Sequence, residues 1–161
     1  SNYRFKLSTK KKIITVFDSN PFNKINQLKR LYFSELGDEN FSIKFLKDII
    51  EVCKDLDYHL IIKPKKISDN EISNNYNKFL EQLSKYKNIS VVREVAPKLF
   101  FDISHAFISF PFTSTAVLAK NHDKNICFYK PSIITKQDNI QNLVIPTIYN
   151  KLQLNFWLKS L

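Results

Sequence analysis

A single glycine, Gly37, serves all 161 residues. Loops that cradle phosphate with bare backbone need several glycines, so a Gly-rich phosphate-binding loop is excluded. Methionine is absent and the chain begins at Ser1, from which we expect a piece of a longer protein, with residues 1–10 as an entry linker. Cysteine is nearly absent. Cys53 and Cys127 have neither CxxC spacing nor a neighbouring histidine pair, so both are expected as small buried hydrophobes in a reducing compartment, with no metal site. No apolar run reaches the length that crosses a bilayer, and no secretory pattern opens the chain.

Arginine is scarce too, although the formal net charge is +10. Only Arg4, Arg30 and Arg93 stand beside the many lysines. Base readout and stacking favour the planar guanidinium, and the lysines are scattered, so no nucleic-acid partner is expected. The milder expectation is work beside something acidic, either a nucleotide diphosphate or an anionic membrane surface. The expected location is the cytoplasm, including peripheral contact with the inner face of the membrane.

What is present is globular: 43% of residues are hydrophobic and 14% aromatic, enough for one domain over residues 1–161. Ile13 to Phe17 is a β-branched run apolar on both sides, as in a central parallel strand. A short helix is expected around Ile25 to Phe33. Asn40 or Ser42 would cap the next helix, whose apolar stripe is Ile43, Leu46, Ile49, Ile50, Cys53 and Leu56. His59 to Ile62 is a second strand, ended by Lys63-Pro64-Lys65-Lys66. A second striped helix carries Ile72, Tyr76, Phe79, Leu80, Leu83 and Tyr86. Further strands are expected at Ile89–Val92, Ala106–Phe110 and Ile126–Tyr129, with Leu143–Ile148 as a weak sixth. Pro97 opens a short helix through Phe101, Thr115–Ala119 form a helix of small residues, and Leu154, Trp157, Leu158 and Leu161 stripe a terminal helix. Strand and helix alternate about five times, the signature of a doubly wound α/β domain with a mainly parallel, Rossmann-like sheet.

Ligands of such sheets bind at the carboxyl ends of the strands, which directs attention to four loops. In Phe17-Asp18-Ser19-Asn20-Pro21, Asp18 is a candidate for a ribose or sugar hydroxyl; the plain alternative is a turn before proline. In Lys63-Pro64-Lys65, a stiff mount holds two cations suited to pyrophosphate, or simply a solvated charge run. Val92-Arg93-Glu94-Val95 offers backbone, Arg93 and Glu94 to a nucleobase or sugar, unless the two charges merely pair. The richest loop is Ser109-Phe110-Pro111-Phe112-Thr113-Ser114-Thr115-Ala116. There a strand runs through a hydroxyl-rich turn into a helix whose first amides and dipole favour an anion. Thr113, Ser114 and Thr115 are candidates for phosphate, and Pro111 and Phe112 for base or sugar contacts. The ordinary alternative is a Ser/Thr cap. His59 and His105 fall at the other end of the sheet, and no Ser-His-Asp order is present. The catalytic residue is left open.

Taken in order, Val16-Phe17-Asp18 with Pro21, Phe45 to Ile49, Leu60 to Lys65, Ile108 to Ala116 and Phe128-Tyr129-Lys130-Pro131 resemble the C-terminal, donor-nucleotide-binding domain of GT-B-type glycosyltransferases of bacterial surface-polysaccharide biosynthesis. The resemblance covers most of the chain from Ile13 to Pro131. It implies a two-lobed enzyme whose partner lobe, N-terminal to this one, holds the acceptor and the base. It also implies a nucleotide-sugar donor and no metal or other cofactor, with cationic side chains and a helix start neutralising the leaving diphosphate. Under it Lys63 and Lys65 face phosphate, and Thr113, Ser114 and Thr115 hold phosphate or ribose. The chain departs from the family pattern in carrying Lys65 where relatives often have histidine, and in lacking an evident pair of glutamates. Two alternatives stand beside it. One is half of a sugar-nucleotide epimerase, which needs acid and base groups that the sequence does not display in this half. The other is a non-catalytic α/β binding or signalling module, whose receiver type would cluster acids after the first strand, where only Asp18 is found.

Overall fold

A computed structural model describes residues 7, 9–21, 37–66, 72–131 and 144–161. The helix expected at 25–33 and most of the expected linker lie outside them. Among the described residues, six strands form one parallel sheet: β1 (Ile13–Asp18), β2 (His59–Pro64), β3 (Ile89–Val91), β4 (Ala106–Ser109), β5 (Ile126–Tyr129) and β6 (Thr147–Ile148). Their spatial order is β3-β2-β1-β4-β5-β6. Four α-helices accompany them: α1 (Glu39–Asp55), α2 (Asn74–Leu83), α3 (Ser114–Asn121) and α4 (Lys151–Lys159). A 3-10 turn at Pro97–Phe100 precedes β4. The fold is the doubly wound, Rossmann-like α/β arrangement that the alternation implied.

The period-two alternation of the strands sorts the core into two layers. Ile14, Val16, Leu60, Ile62 and Ile108 pack beneath α1, α2 and α4, against Phe45, Ile49, Tyr76, Leu80, Leu154 and Leu158. Phe17, Ile61, Phe107 and Phe128 face the other way, against Phe100, Phe101 and α3. There the rings do much of the filling: Phe17 stacks on Phe107 at 5.4 Å, and Phe101 meets Phe107 edge-on at 5.6 Å. α3 buries Ala116 and Ala119 fully in this layer, with Leu118 partly buried beside them, so its backbone lies close to the sheet. Burying one large apolar side chain contributes roughly 1.5–3 kcal/mol, so either layer is a substantial core.

Scarcity of glycine leaves a trace in the turns. Where α1 and α3 end, the left-handed position just past the cap is filled by Asp57 (φ 55°) and Asp123 (φ 56°), residues that tolerate this region better than most. Several boundaries differ from those expected. α1 is capped by Asp38, whose carboxylate accepts the Asn40 N–H at 3.1 Å, in place of Asn40 or Ser42. β2 runs on through Lys63 and Pro64, because the Lys63 ammonium finds carbonyl partners inside the fold. α2 stops at Leu83, leaving Tyr86 beyond its end and exposed. Both cysteines are buried and unpaired, and burial pushes the Cys53 thiol up to about 12. No helix among the described residues is long and apolar enough to cross a membrane.

Candidate functional site at the carboxyl edge of the sheet

Every strand-to-helix connection leaves from the carboxyl edge, so the helix starts gather there. Asp38, Ser73, Thr113 and Asn150 cap α1 to α4, each side chain accepting an early backbone N–H; such caps are worth about 1 kcal/mol each. The loops on one side are bound into a unit. The Asp18 carbonyl accepts from Lys65 N–H at 3.0 Å, and the Pro21 carbonyl from Ser73 N–H at 3.0 Å. The Asn20 amide donates to the Lys65 carbonyl at 2.6 Å. Ser73 Oγ in turn donates to Glu39, whose other oxygen accepts from Asn75 at 3.1 Å. The starts of α1 and α2 are thereby fixed against the end of β1.

Asp18 closes β1 and is 3% exposed. Its Oδ1 accepts the Ser19 N–H at 2.8 Å, while Oδ2 has no hydrogen-bond partner among the described residues. Burial raises its pKa to about 7, with the Ser19 bond pulling weakly the other way. A carboxyl in this state exchanges protons near neutrality, as acid–base groups do. Asn20 Oδ1, Ser42 Oγ and the Tyr76 hydroxyl are likewise buried without partners among the described residues. Ser42 lies in the first turn of α1 and Tyr76 in that of α2, so all four unsatisfied groups sit toward the carboxyl edge. Each costs roughly 1–3 kcal/mol unless something bonds to it.

Across the switch point from β1, Phe110 N–H bonds the Phe17 carbonyl at 2.8 Å, which sets the Pro111–Ser114 turn beside the β1 end. Phe112 holds φ 60°, an unfavourable region for a bulky side chain, costing about 1–2 kcal/mol. Its ring, 47% exposed, rests on Phe128 with centroids 5.5 Å apart. The Ser109 hydroxyl donates to the Phe110 carbonyl at 3.0 Å, so in the 2.7 Å contact between Ser109 and Thr113 it is Thr113 that donates. Thr113 Oγ1 also accepts Ala116 N–H at 3.4 Å. Its hydroxyl is thus engaged as an ordinary cap. Ser114 is exposed and Thr115 half-buried, and neither their hydroxyls nor their amides bond to a described residue. No acidic side chain occupies the first turn of α3, whereas Glu39 does so in α1. The dipole of α3 is therefore uncompensated, and the start of this helix is the more receptive to an anion.

The remaining sequence candidates divide. Lys63 is buried and its Nζ donates to the carbonyls of Pro64 and Arg93, both at 2.9 Å; desolvation lowers its pKa. Lys65 contributes its backbone to the loop clamp and extends its exposed side chain outward. Arg93 donates to Asn77 Oδ1 at 3.1 Å, and Glu94 meets Lys66 at 3.3 Å on the surface, a pair of little energetic weight. The edge thus gathers Asp18 and the Pro111–Thr115 turn, with Lys63 turned into the fold beneath it. Asn20, Ser42 and Tyr76 were missed as candidates, since nothing in their spacing announces an unsatisfied buried group. His59 and His105 are at the amino edge as expected, bonded to Ser90 at 3.0 Å and Lys12 at 3.2 Å.

Residues 1–158 match the family described as "Polysaccharide biosynthesis PFTS motif protein"; Pro111-Phe112-Thr113-Ser114 spells those four letters. No curated protein sequence matches the chain significantly. Among solved structures, the UDP-GlcNAc 2-epimerase of Methanocaldococcus jannaschii, in complex with UDP-GlcNAc and UDP, superposes with a TM-score of 0.49 at 11% identity. The match covers 92% of this chain and 38% of the epimerase chain.

Proposed function

Since the chain belongs to the polysaccharide biosynthesis PFTS motif family, we propose that it binds the diphosphate of a nucleotide-sugar at its carboxyl edge, as the donor-side lobe of a glycosyltransferase. The acceptor is then held by a further lobe. The observation that carries this is the start of α3, where the amides and hydroxyls of Ser114 and Thr115 bond to no described residue and no acid occupies the first turn. Phosphate placed there takes up these donors and a favourable dipole together. Phe112, with its ring exposed beside the turn, is suited to the flat face of a base or sugar, and Asp18 to a hydroxyl.

The test is Ser114→Asp. A carboxylate at a helix start stabilises by about 0.3–1 kcal/mol, so the melting temperature should hold or rise. Nucleotide-diphosphate affinity should fall by at least ten-fold through like-charge repulsion, about 1.4 kcal/mol. Calorimetry on the same sample showing unchanged affinity would leave the turn with a capping role only.

A second activity on the same substrate class, sugar-nucleotide epimerisation, is favoured by one observation: the near-neutral Asp18 carboxyl supplies an acid–base group that the sequence did not reveal. Incubating nucleotide-sugar in deuterated water without acceptor separates the two. Deuterium entering the sugar ring supports epimerisation, and an unlabelled ring removes that second reading.

A further inference from the structure

At the opposite, amino end of the sheet, a cavity of about 610 Å³ opens between α1 and α2. Leu60 and Ile89, at the starts of β2 and β3, form its floor, and Ile50, Phe79, Leu83 and Tyr86 its walls. Tyr86 is 63% exposed, an apolar ring with a polar tip at the mouth of an apolar groove. Three lysines line the same groove: Lys47, Lys54 and Lys87. Its two acids are already neutralised from outside it, Glu51 by Lys151 at 2.6 Å and Asp57 by Lys11. Lys47 rests 5.9 Å from the Phe79 ring centroid, and Lys54 and Lys87 have no acidic partner among the described residues.

One feature opposes an anion here, since α1 and α2 both end beside the groove and a helix end carries about half a negative charge. It is outweighed. The closing carbonyls are bonded by Leu56, Asp57 and Tyr58 after α1, and by Ser84, Lys85 and Tyr86 after α2, while the three lysines carry full charges.

We propose that this groove docks the chain on an anionic bilayer surface. The lysines meet lipid phosphates, and Tyr86, exposed at the mouth of the groove, enters the boundary between headgroups and acyl chains. Aromatic rings with one wet end favour that depth, and lysines beside them bind acidic leaflets. The docking does not depend on the nucleotide site. It would hold the chain by its amino edge, with the carboxyl edge turned to the water.

The experiment is co-sedimentation of the chain with vesicles of phosphatidylcholine mixed with phosphatidylglycerol, against phosphatidylcholine alone. Binding to the acidic vesicles is expected to fall by about five-fold per lysine, so on the order of a hundred-fold for combined K47Q, K54Q and K87Q. K98Q, K120Q and K124Q remove the same charge elsewhere and should cost far less. Tyr86→Ser, an exposed change beyond the end of α2, should weaken binding without touching charge. Because both cysteines are buried, an environment-sensitive dye on Asn88→Cys reports the groove directly and should shift to the blue on acidic vesicles. Equal binding to neutral vesicles, equal loss in the two lysine triples, or an unmoved dye spectrum overturns the proposal.

Discussion

The two ends of the sheet are finished differently. At the amino edge several polar side chains between and beneath the strands meet partners: His59 with Ser90, Lys12 with His105, Thr15 with Ser104 at 2.7 Å, Lys11 with Asp57. At the carboxyl edge four buried polar atoms lack partners among the described residues, a carboxyl is held near neutrality, and a phenylalanine sits in the left-handed region. Both edges are built by the same strands, so the contrast is local. Among the described residues, these amino-edge groups are bonded within the fold and the four buried atoms at the carboxyl edge are not. Buried polar groups left for another partner are a mark of sites that take a ligand.

The largest test of this contrast is Asp18→Asn. The folded pKa lies near 7 against 3.8 for the free group, so the native state holds its proton more tightly. The contribution of Asp18 is therefore intact below about pH 4 and is lost by about 1.4 kcal/mol per pH unit as pH rises toward 7. The asparagine variant should exceed the parent by up to about 4 kcal/mol at pH 8 and by little at pH 4. Urea unfolding at both values measures it. An equal margin at the two would mean that the carboxyl is not withheld from solvent.

Smaller and sharper is Lys63→Met, which keeps the bulk and removes the charge beneath the edge. If the ammonium serves the diphosphate, nucleotide-diphosphate binding should weaken by about 1.5–3 kcal/mol while nucleoside binding changes little. Matching losses for both ligands in calorimetry would assign Lys63 to the loop carbonyls alone.

The smallest effect is expected at the finished edge. Burial, aided by Lys11 and Lys12, lowers the pKa of His59 and His105. Their contribution is present above about pH 6.5, the ordinary histidine value, and is lost as pH falls through the lowered folded values. Replacing both with glutamine should flatten the acid limb of a melting-temperature profile. An unaltered limb would show that the amino edge carries no such proton linkage.

Much of the architecture was legible because it is periodic. The apolar runs at Ile13–Phe17 and Ile126–Tyr129 and the stripes of α1 and α2 needed no tertiary information. Boundaries were less legible. Asp38, Asn40 and Ser42 all have capping chemistry, and only where the helix begins, at Glu39, selects Asp38. Lys63-Pro64 read as a strand end because a buried ammonium cannot be foreseen without the carbonyls of Pro64 and Arg93. Tyr86 continued the α2 stripe on paper, though the helix had already stopped. At the site, the turn after β4 stood out by composition. Which of its hydroxyls is engaged depends on the Ser109 contact, five residues apart from Ser114 and on a different element. Tyr76 counted as one more apolar stripe position, so a buried hydroxyl without a partner among the described residues was not visible there.

The direction of the hydrogen bonds in that turn has a consequence for how its four letters are read. Pro111 is buried, and its ring presets the backbone. Phe112 is forced into its strained angle and propped by Phe128, and Thr113 is bonded on both sides. Pro111 and Thr113 are therefore carpentry, Phe112 is part of the frame with its ring exposed, and Ser114 leaves its hydroxyl facing outward. Tolerance to substitution should divide the same way: serine for Thr113 preserves every bond of the frame, valine breaks it, and neither tells anything about the ligand. Of the four, Ser114 is the position whose hydroxyl can be altered while the frame stands, which makes it a handle by which specificity can be changed without rebuilding the turn.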